Sequence, residues 1–461
     1  MEGFLTTLKS VIDNLGATVV LPIIIFILGV IMRAKPGKAF RAAVTIGVAF
    51  IGINLIIGLM WGTLSGVSQA IVDNWKITRD VVDVGWPSAA AIAFGSDVGL
   101  WIIPIAFAVN LILLLFKMTK TFNIDVWNFW HMAFIGSMVT VVTQNLLYGL
   151  IAAAISAALA LFLADWTAKA VQSFYNLPGI SITTLSSTPL LPYAIFTNWL
   201  MDKIPGVRDW NADTESIQKR FGVFGEPIIL GLVIGLVLGA LGYYNAEGAV
   251  VKILQTGMNL AAVMLLLPRM VQILMEGLIP ISEAARDYMS ARAGGREIYI
   301  GLDSAIIIGH PSNISAALVL VPIAILLSVI LPGSRVILFA DLASIPFYMV
   351  LFAPLMKGNI FRMIVAGIIF IISGFYMATA MAPLYTAAAE NAGFVKPEGA
   401  GLITSMADGF IWPPFLFSKL VEWLGVIGLV VAAVLLVVAW FMYLKKPTSW
   451  EVAAGAPVDE K

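Results

Sequence analysis

Apolar positions along this chain do not alternate with polar ones; they run together. The first continuous run covers about Leu15–Met32, and others follow at Ala42–Val72, Val98–Phe116, Trp130–Trp166, Phe221–Tyr244, Val250–Met275, Ile314–Leu331, Ile337–Met356, Phe361–Met381 and Val421–Leu444. About 20 apolar residues carry a helix across a bilayer, and in lipid every backbone polar group needs an internal partner, so these runs are predicted helices. They are apolar on all sides, so amphipathic periodicity does not read them. The alternating ten-residue strands of a membrane barrel are absent. The Trp130–Trp166 run is too long for one crossing and is expected to fold into two near Tyr148 and Gly149. Two segments are ambiguous: Ile337–Met356, with Asp341, Pro346 and Pro354, and Leu384–Lys419. One is expected to span and the other to re-enter. The fold class is therefore an all-α polytopic membrane protein of about eleven transmembrane helices. The opening stretch, MEGFLTTLKSVIDN, lacks the basic start, short apolar run and small-residue cleavage site of a secretory signal.

Composition narrows the function. The chain has 461 residues, 60% hydrophobic and only 12% charged, which is not the make-up of a soluble enzyme or a disordered protein. Lys plus Arg is 27 and Asp plus Glu is 27, so there is no basic field for nucleic acid. No cysteine is present, which excludes disulfides, thiolate metal sites and a phosphocysteine relay within this chain. Neither histidine stands in an HExxH spacing, and no Walker motif occurs. No cofactor, metal or catalytic nucleophile is expected. An energy source must come from an ion gradient or another protein.

Basic loops set the expected orientation. Arg33, Lys35, Lys38 and Arg41 follow the first run, Lys117 and Lys120 the third, Arg286, Arg292 and Arg296 the Val250–Met275 run, and Lys445 and Lys446 the last. Placing these inside puts the N-terminus outside and the C-terminus in the cytoplasm, which requires an odd number of spans. The longest polar stretch, 169–220, reads as a cytoplasmic connector and a docking surface for a soluble partner.

The chain also repeats itself. Pro22-IIIFILG resembles Pro227-IILGLVIG, and Gly52-Ile53-Asn54-Leu55 resembles Gly257-Met258-Asn259-Leu260, both pairs 205 positions apart. Ala91–Gly95 resembles Ala305–Gly309, Pro-Ile-Ala recurs at Pro104 and Pro322, and Asn128–Met132 resembles Asn359–Met363. Five matches in one order point to an internal duplication. With five spans in the first copy, the second enters from the opposite side, giving the inverted repeats of many transporters. The expected organisation is a first membrane repeat at 1–166, the connector at 167–220, a second repeat at 221–420, and a last helix with a cytoplasmic tail at 421–461. Re-entrant hairpins are expected near 84–97 and 301–313, their tips approaching one another.

Polar side chains within spans are costly and mark function. The first tip carries Ser96 and Asp97, and the second His310, Ser312 and Asn313. Gln144 and Asn145 follow in the next span, with His131 earlier and Asp303 one arm away. Amide, hydroxyl, carboxylate and imidazole groups grip a polyhydric solute, which an apolar pocket cannot demand. Ser96, Asp97, Gln144, Asn145, His310, Ser312 and Asn313 are the candidate substrate-binding residues. Each also fits a structural role: Gln144 and Asn145 as interhelical bonds, His310 before Pro311 as a helix cap, Asp97 as a partner of a helix N-terminus. Asn54 and Asn259 read as structural, Glu226 as a dipole partner, and the tryptophans near span ends, including Trp61, Trp75, Trp127, Trp130, Trp166, Trp423 and Trp440, as interface anchors.

The segments FGVFGEPIILGLVIG and GREIYIGLDSAIIIGHPSNISAALVLVPIAILLSVILPG, with the paired PIIIFILG and GINL motifs, resemble the galactitol-type membrane subunit IIC of the bacterial phosphotransferase system, in the ascorbate–galactitol superfamily, over nearly the whole chain. The resemblance implies a permease of the bacterial inner membrane. It would accept an external polyol and release it to a separate phosphorylated cytoplasmic IIB protein, itself served by IIA. It also implies a homodimer in which a core carrying both hairpins moves against a dimerisation scaffold. The alternative is a proton- or sodium-coupled transporter using Asp97, Asp303 or Glu390.

Overall fold

The computed structural model describes residues 17–31, 33–75, 79–125, 127–206, 208, 210, 227–292, 297–338, 340–394 and 401–458. Residues 1–16 and 211–226, with Glu226 and most connector charges, lie outside them, as do the side chains of Asn54, Trp61 and Trp75. Helices dominate. The first part holds α1 (Ala17–Ile31), α2 (Pro36–Trp75), β1 (Val81–Asp83), α3 (Gly85–Gly95), α4 (Ile102–Leu115), β2 (Thr121–Asn123), α5 (Phe129–Thr143), α6 (Leu146–Tyr175), β3 (Ile180–Ile182) and α7 (Leu191–Lys203). The second holds α8 (Pro227–Tyr243), α9 (Ala249–Arg292), β4 (Tyr299–Leu302), α10 (Pro311–Ile330), β5 (Val336–Ile337), α11 (Ile345–Met349), α12 (Phe352–Leu355), α13 (Ile360–Asn391), β6 (Leu402–Thr404), α14 (Met406–Gly409), α15 (Trp412–Leu424), α16 (Ile427–Lys445) and α17 (Pro447–Ala453).

Among the described residues, five stretches are long and apolar enough to cross a bilayer: α6, residues Ala249–Leu266 of α9, α10, α13 and α16. Shorter apolar helices join them, so the chain is a multi-pass membrane protein. With 40 and 44 residues, α2 and α9 reach about 60 Å or more at 1.5 Å per residue. That is roughly twice the hydrocarbon thickness, so they tilt or project beyond it.

The all-helical expectation needs one correction. Two three-stranded parallel sheets interrupt the helices, in the orders β5-β1-β6 and β2-β4-β3. Val81 pairs with Val336 and Leu402 in the first, and Ile300 with Phe122 and Ile180 in the second. In each sheet the central strand comes from one part of the chain and both neighbours from the other. Their strands are two to four residues long, too short to leave a period of two in the sequence. Buried backbone must find partners; here broken helices find them across the chain. The outer edges match too. Lys120 N donates to Asp165 of α6, and Arg335 N donates to Thr379 Oγ1 of α13 at 3.1 Å. Lys120 Nζ pairs with Glu297 at 3.2 Å, and Arg335 pairs with Asp80. The Arg335 guanidinium holds the Asp80 carboxyl below its usual pKa.

The long fourth apolar run breaks at Gln144 and Asn145, a few residues before the expected Tyr148 and Gly149. Gln144 takes a left-handed conformation (φ 52°), and the Asn145 side chain accepts Leu147 N at 2.9 Å, capping α6. Gly149 instead sits where α6 crosses α5. A Cβ there would lie 2.7 Å from the Gly136 carbonyl oxygen and collide with Thr140 Oγ1, and a Cβ on Gly136 would lie 2.7 Å from Val98 Cγ1. Gly149→Leu is accordingly expected to lower the yield of monodisperse protein and its melting temperature, costing about 1–3 kcal/mol or more through overpacking. Gly58→Ala, above which the space is open, should leave both unchanged.

Several tryptophans are core rather than interface residues. Trp130 and Trp440 are buried, and indole N–H groups donate from Trp440 to the Met118 carbonyl (2.7 Å) and from Trp166 to that of Trp450 (2.6 Å). A buried indole needs such a partner. Trp423 is exposed. Asn259 Nδ2 donates to Thr63 Oγ1 at 3.1 Å, an interhelical bond as expected.

Candidate functional site

The predicted site residues fall into two groups. Ser96 ends α3, and its hydroxyl accepts from Ser137 Oγ of α5 at 2.7 Å while donating to the Ala93 carbonyl. Asp97 beside it is exposed. Gln144 and Asn145, also exposed, lie at the α5–α6 break, with Gln144 Nε2 donating to the Val141 carbonyl. In the second group, His310 caps α10 by accepting Ser312 N at 3.3 Å, and its ring packs on Phe174 and Tyr175 at 4.8 and 5.4 Å. Asn313 is fully buried and donates to Tyr175 Oη (3.0 Å) and the Ile307 carbonyl (2.8 Å). Ser312 is buried too, its hydroxyl turned toward Gly358.

These groups do not meet. Ser137 lies one residue beyond Gly136, which contacts Gly149 near the start of α6, whereas Tyr175 is the last residue of α6. About 25 residues at 1.5 Å each separate them, roughly 35–40 Å. The expectation that the hairpin tips approach one another is therefore corrected. A continuous helix running to Tyr175, past the boundary expected at residue 166, holds them apart.

What the fold does bring together are the ends of the strands. Asp83 ends β1, and its carboxylate accepts Gly85 N (3.0 Å) and Asp341 N (2.7 Å). Asp341, just after β5, accepts Trp86 N (2.7 Å), Met406 N (2.7 Å), Ala407 N (3.3 Å) and Ser344 Oγ (3.2 Å). One carboxylate thus terminates the starts of α3 and α14 at once, where free N–H groups and the helix dipoles favour an anion. Asp408, at 0% exposure, stands 3.1 and 3.3 Å from Nδ1 of His131 on α5. With the carboxylate as acceptor, Nδ1 is the donor of this bond. Trp130 stacks on His131 at 3.7 Å. Among the described residues, the buried Trp130 Nε1, Tyr348 Oη and Thr404 Oγ1 have no hydrogen-bond partner. Tyr348 lies within electrostatic reach of Asp341, Asp408 and Asp83.

The second sheet ends alike. Asp303 follows β4 and accepts Ala305 N (3.0 Å) and Thr184 Oγ1 (3.2 Å), and Asp125 after β2 accepts Asn128 Nδ2 (2.8 Å). Asp125 and Asp303 interact electrostatically. Ser187, after β3, donates to the Phe347 carbonyl at 2.7 Å, next to Tyr348, so the two polar layers face each other through α11. His131 lies five residues before Gly136, which sets it about 12 Å inward from the start of α6 by the same 1.5 Å rise. Buried polar groups that are partly unpartnered suit a hydroxylated solute.

The sequence reading missed Asp83, Asp341 and Asp125 and left Asp408 unassigned. The signal was an acidic residue directly after a short β-branched or apolar stretch and before a helix start, as in Val81-Val82-Asp83 and Ile300-Gly301-Leu302-Asp303. Among the described residues no cluster has the make-up of a metal site.

The fold and this site define a multi-pass membrane protein with a buried polar centre of carboxylates, hydroxyls and a histidine at its broken helices. The profile of the phosphotransferase-system sugar-specific permease component, EIIC-GAT, matches residues 10–399. The chain belongs to that family. It is 36% identical over 458 residues to the galactitol-specific EIIC component of Escherichia coli strain K12, an alignment covering 99% of both chains, and equally similar to that of strain O157:H7. A putative permease IIC component of strain K12 is 37% identical over 435 residues, 94% of this chain and 98% of that one.

Proposed function

We propose that this protein admits a sugar alcohol of the galactitol type across the bacterial inner membrane and hands it to a cytoplasmic IIB protein, charged in turn by IIA, for phosphorylation. The observation that carries the reading is the His131–Asp408 pair beside three unpartnered buried donors. It offers acceptors and donors that match the hydroxyls of a polyol. Full-length similarity to galactitol-specific components supports the substrate class.

In this reading the two parts of the chain are inverted repeats within about eleven spans. Each lends its central strand, β1 or β4, to the other's sheet. The N-terminus is outside and the C-terminus cytoplasmic. Ser96, Asp97, Gln144 and Asn145 line one approach to the centre, and His310, Ser312 and Asn313 the other, at opposite ends of α6. The centre moves as a body against a scaffold that includes α2 and α9, in a homodimer. The solute hydroxyl is the nucleophile, and the phosphoryl group comes from IIB. A charged ester cannot return through an apolar path, so phosphorylation makes uptake one-way.

Membrane vesicles with labelled galactitol test this, with phosphoenolpyruvate and the cytoplasmic phosphotransferase proteins added or withheld. Label is expected inside only with the donor, and as a phosphate ester. Accumulation of unmodified label that collapses with the ion gradient would overturn it in favour of a coupled transporter.

A further inference from the structure

A cavity of about 350 Å³ opens between α2, the end of α8 and the start of α9, away from the central site. Gly58, Gly62 and Thr63 of α2 form one wall, Tyr243 of α8 an edge, and Lys252, Gln255, Thr256 and Asn259 of α9 the other wall. Polar groups here are unexpected, because the surrounding surface is apolar and exposed: Leu55, Val250, Val251, Leu254 and Met258 all point outward.

The lining has a definite chemistry. Among the described residues no carboxylate lines the cavity. Among the described residues Lys252 Nζ has no ion-pair partner, and it stands 5.6 Å from the centre of the Tyr243 ring. The threonine hydroxyls are already used: Thr63 Oγ1 donates to the Leu59 carbonyl at 2.7 Å, and Thr256 Oγ1 to that of Lys252 at 2.8 Å. Asn259 spends one amide hydrogen on Thr63. Among the described residues the ammonium, the Gln255 amide and the second Asn259 amide hydrogen have no hydrogen-bond partner. One cation with amide donors and no acid selects an anion whose neighbouring groups are uncharged.

Depth fixes which anion. Lys252 is in the first turn of α9, next to the polar turn at Tyr244–Gly248, where a lysine snorkels to the membrane interface. Asn259 is seven residues on, about 10 Å deeper. Beneath it lie Gly58 and Gly62, where added Cβ atoms would meet nothing within 4 Å, leaving a shallow trough on α2. The order from interface to hydrocarbon is thus cation, amides, then an open trough. A phospholipid presents phosphate, glycerol and acyl chain in that order.

We propose that this cavity binds an anionic phospholipid, its phosphate on Lys252, its glycerol region on Gln255 and Asn259, and the first part of an acyl chain over Gly58 and Gly62. The site is separate from the solute centre and does not depend on the transport reading. It joins α2 to α9, the two longest helices, so an occupant bridges them.

The test uses purified full-length protein in neutral detergent. Its thermal melting is followed while dioleoyl phosphatidylglycerol, dioleoyl phosphatidylcholine or inorganic phosphate is titrated in, and native mass spectrometry counts the retained lipid. Phosphatidylglycerol is expected to raise the midpoint by several degrees and to remain as one bound copy per chain. Phosphatidylcholine and inorganic phosphate should do neither. Lys252→Gln and Gln255→Ala should each remove most of the shift, Lys252→Arg should keep it, and Lys445→Gln, at the end of α16, should not change it. An equal shift with phosphatidylcholine would overturn the proposal, as would an equal shift with inorganic phosphate. A full shift in both Lys252→Gln and Gln255→Ala would overturn it too. Should Lys252→Gln fail to fold, Gln255→Ala and the lipid count on the unaltered protein decide.

Discussion

His131→Phe is expected to abolish donor-driven uptake of labelled galactitol, lowering the initial rate about a hundredfold or more, and to destabilise the protein as well. A flat ring is kept, but Asp408 is left as a buried carboxylate without its partner. Removing one member of a buried pair typically costs about 3–5 kcal/mol. Loss of activity alone would therefore prove little. The informative variant is His131→Phe with Asp408→Leu. Replacing both partners by apolar groups is often close to neutral, so the double variant should regain most of the melting temperature. It should not regain uptake, because a site built to hydrogen-bond hydroxyls fails without its polar atoms. Recovery of both in the double variant would show that the pair only holds α5 to α14 and that the solute binds elsewhere.

Asp341→Ala is expected to prevent assembly rather than impair transport. It strands the N–H groups of Trp86, Met406 and Ala407, which donate to this buried carboxylate. Each buried unsatisfied group costs about 1–3 kcal/mol, and together they approach the whole stability of a typical domain. The measurement is the yield of monodisperse protein after membrane extraction. Asp341→Asn keeps one acceptor oxygen and should fall between the two. Asp80→Ala is the contrast. Its partner Arg335 is also near the surface, and an exposed pair contributes about 0–1 kcal/mol, so yield and melting should hardly move. If Asp341→Ala were as well tolerated as Asp80→Ala, the strand ends would not be the joint on which the two parts of the chain close.

The carboxylates differ because of where the chain breaks. Asp97 was the acid the sequence singled out, at a tip rich in glycine and serine, and it is exposed. Asp341 sat in a segment that read as an ambiguous span, yet it is buried and accepts four hydrogen bonds. A short apolar stretch ending in an acid looks the same whether it is a helix end or a strand end. Only the partner strands, more than sixty positions away in every case, tell them apart. His310 shows the opposite outcome: its place before Pro311 already fitted a helix cap, and the cap is there.

Hydrophobic run lengths sufficed for the membrane class, because lipid allows one solution to backbone hydrogen bonding within a twenty-residue apolar segment, and that solution is local. The break between α5 and α6 was legible to within a few residues, since capping chemistry is local as well. The internal similarities and the resemblance to permease components were also carried by the residues themselves. The sheets were not, because parallel pairing of strands two to four residues long depends on contacts between distant parts of the chain. Nor was the separation of the two predicted polar tips, which depends on α6 continuing unbroken to Tyr175. The meeting of His131 with Asp408, 277 positions apart, was decided only when tertiary packing closed α5 against α14, since nothing local to either residue encodes the other.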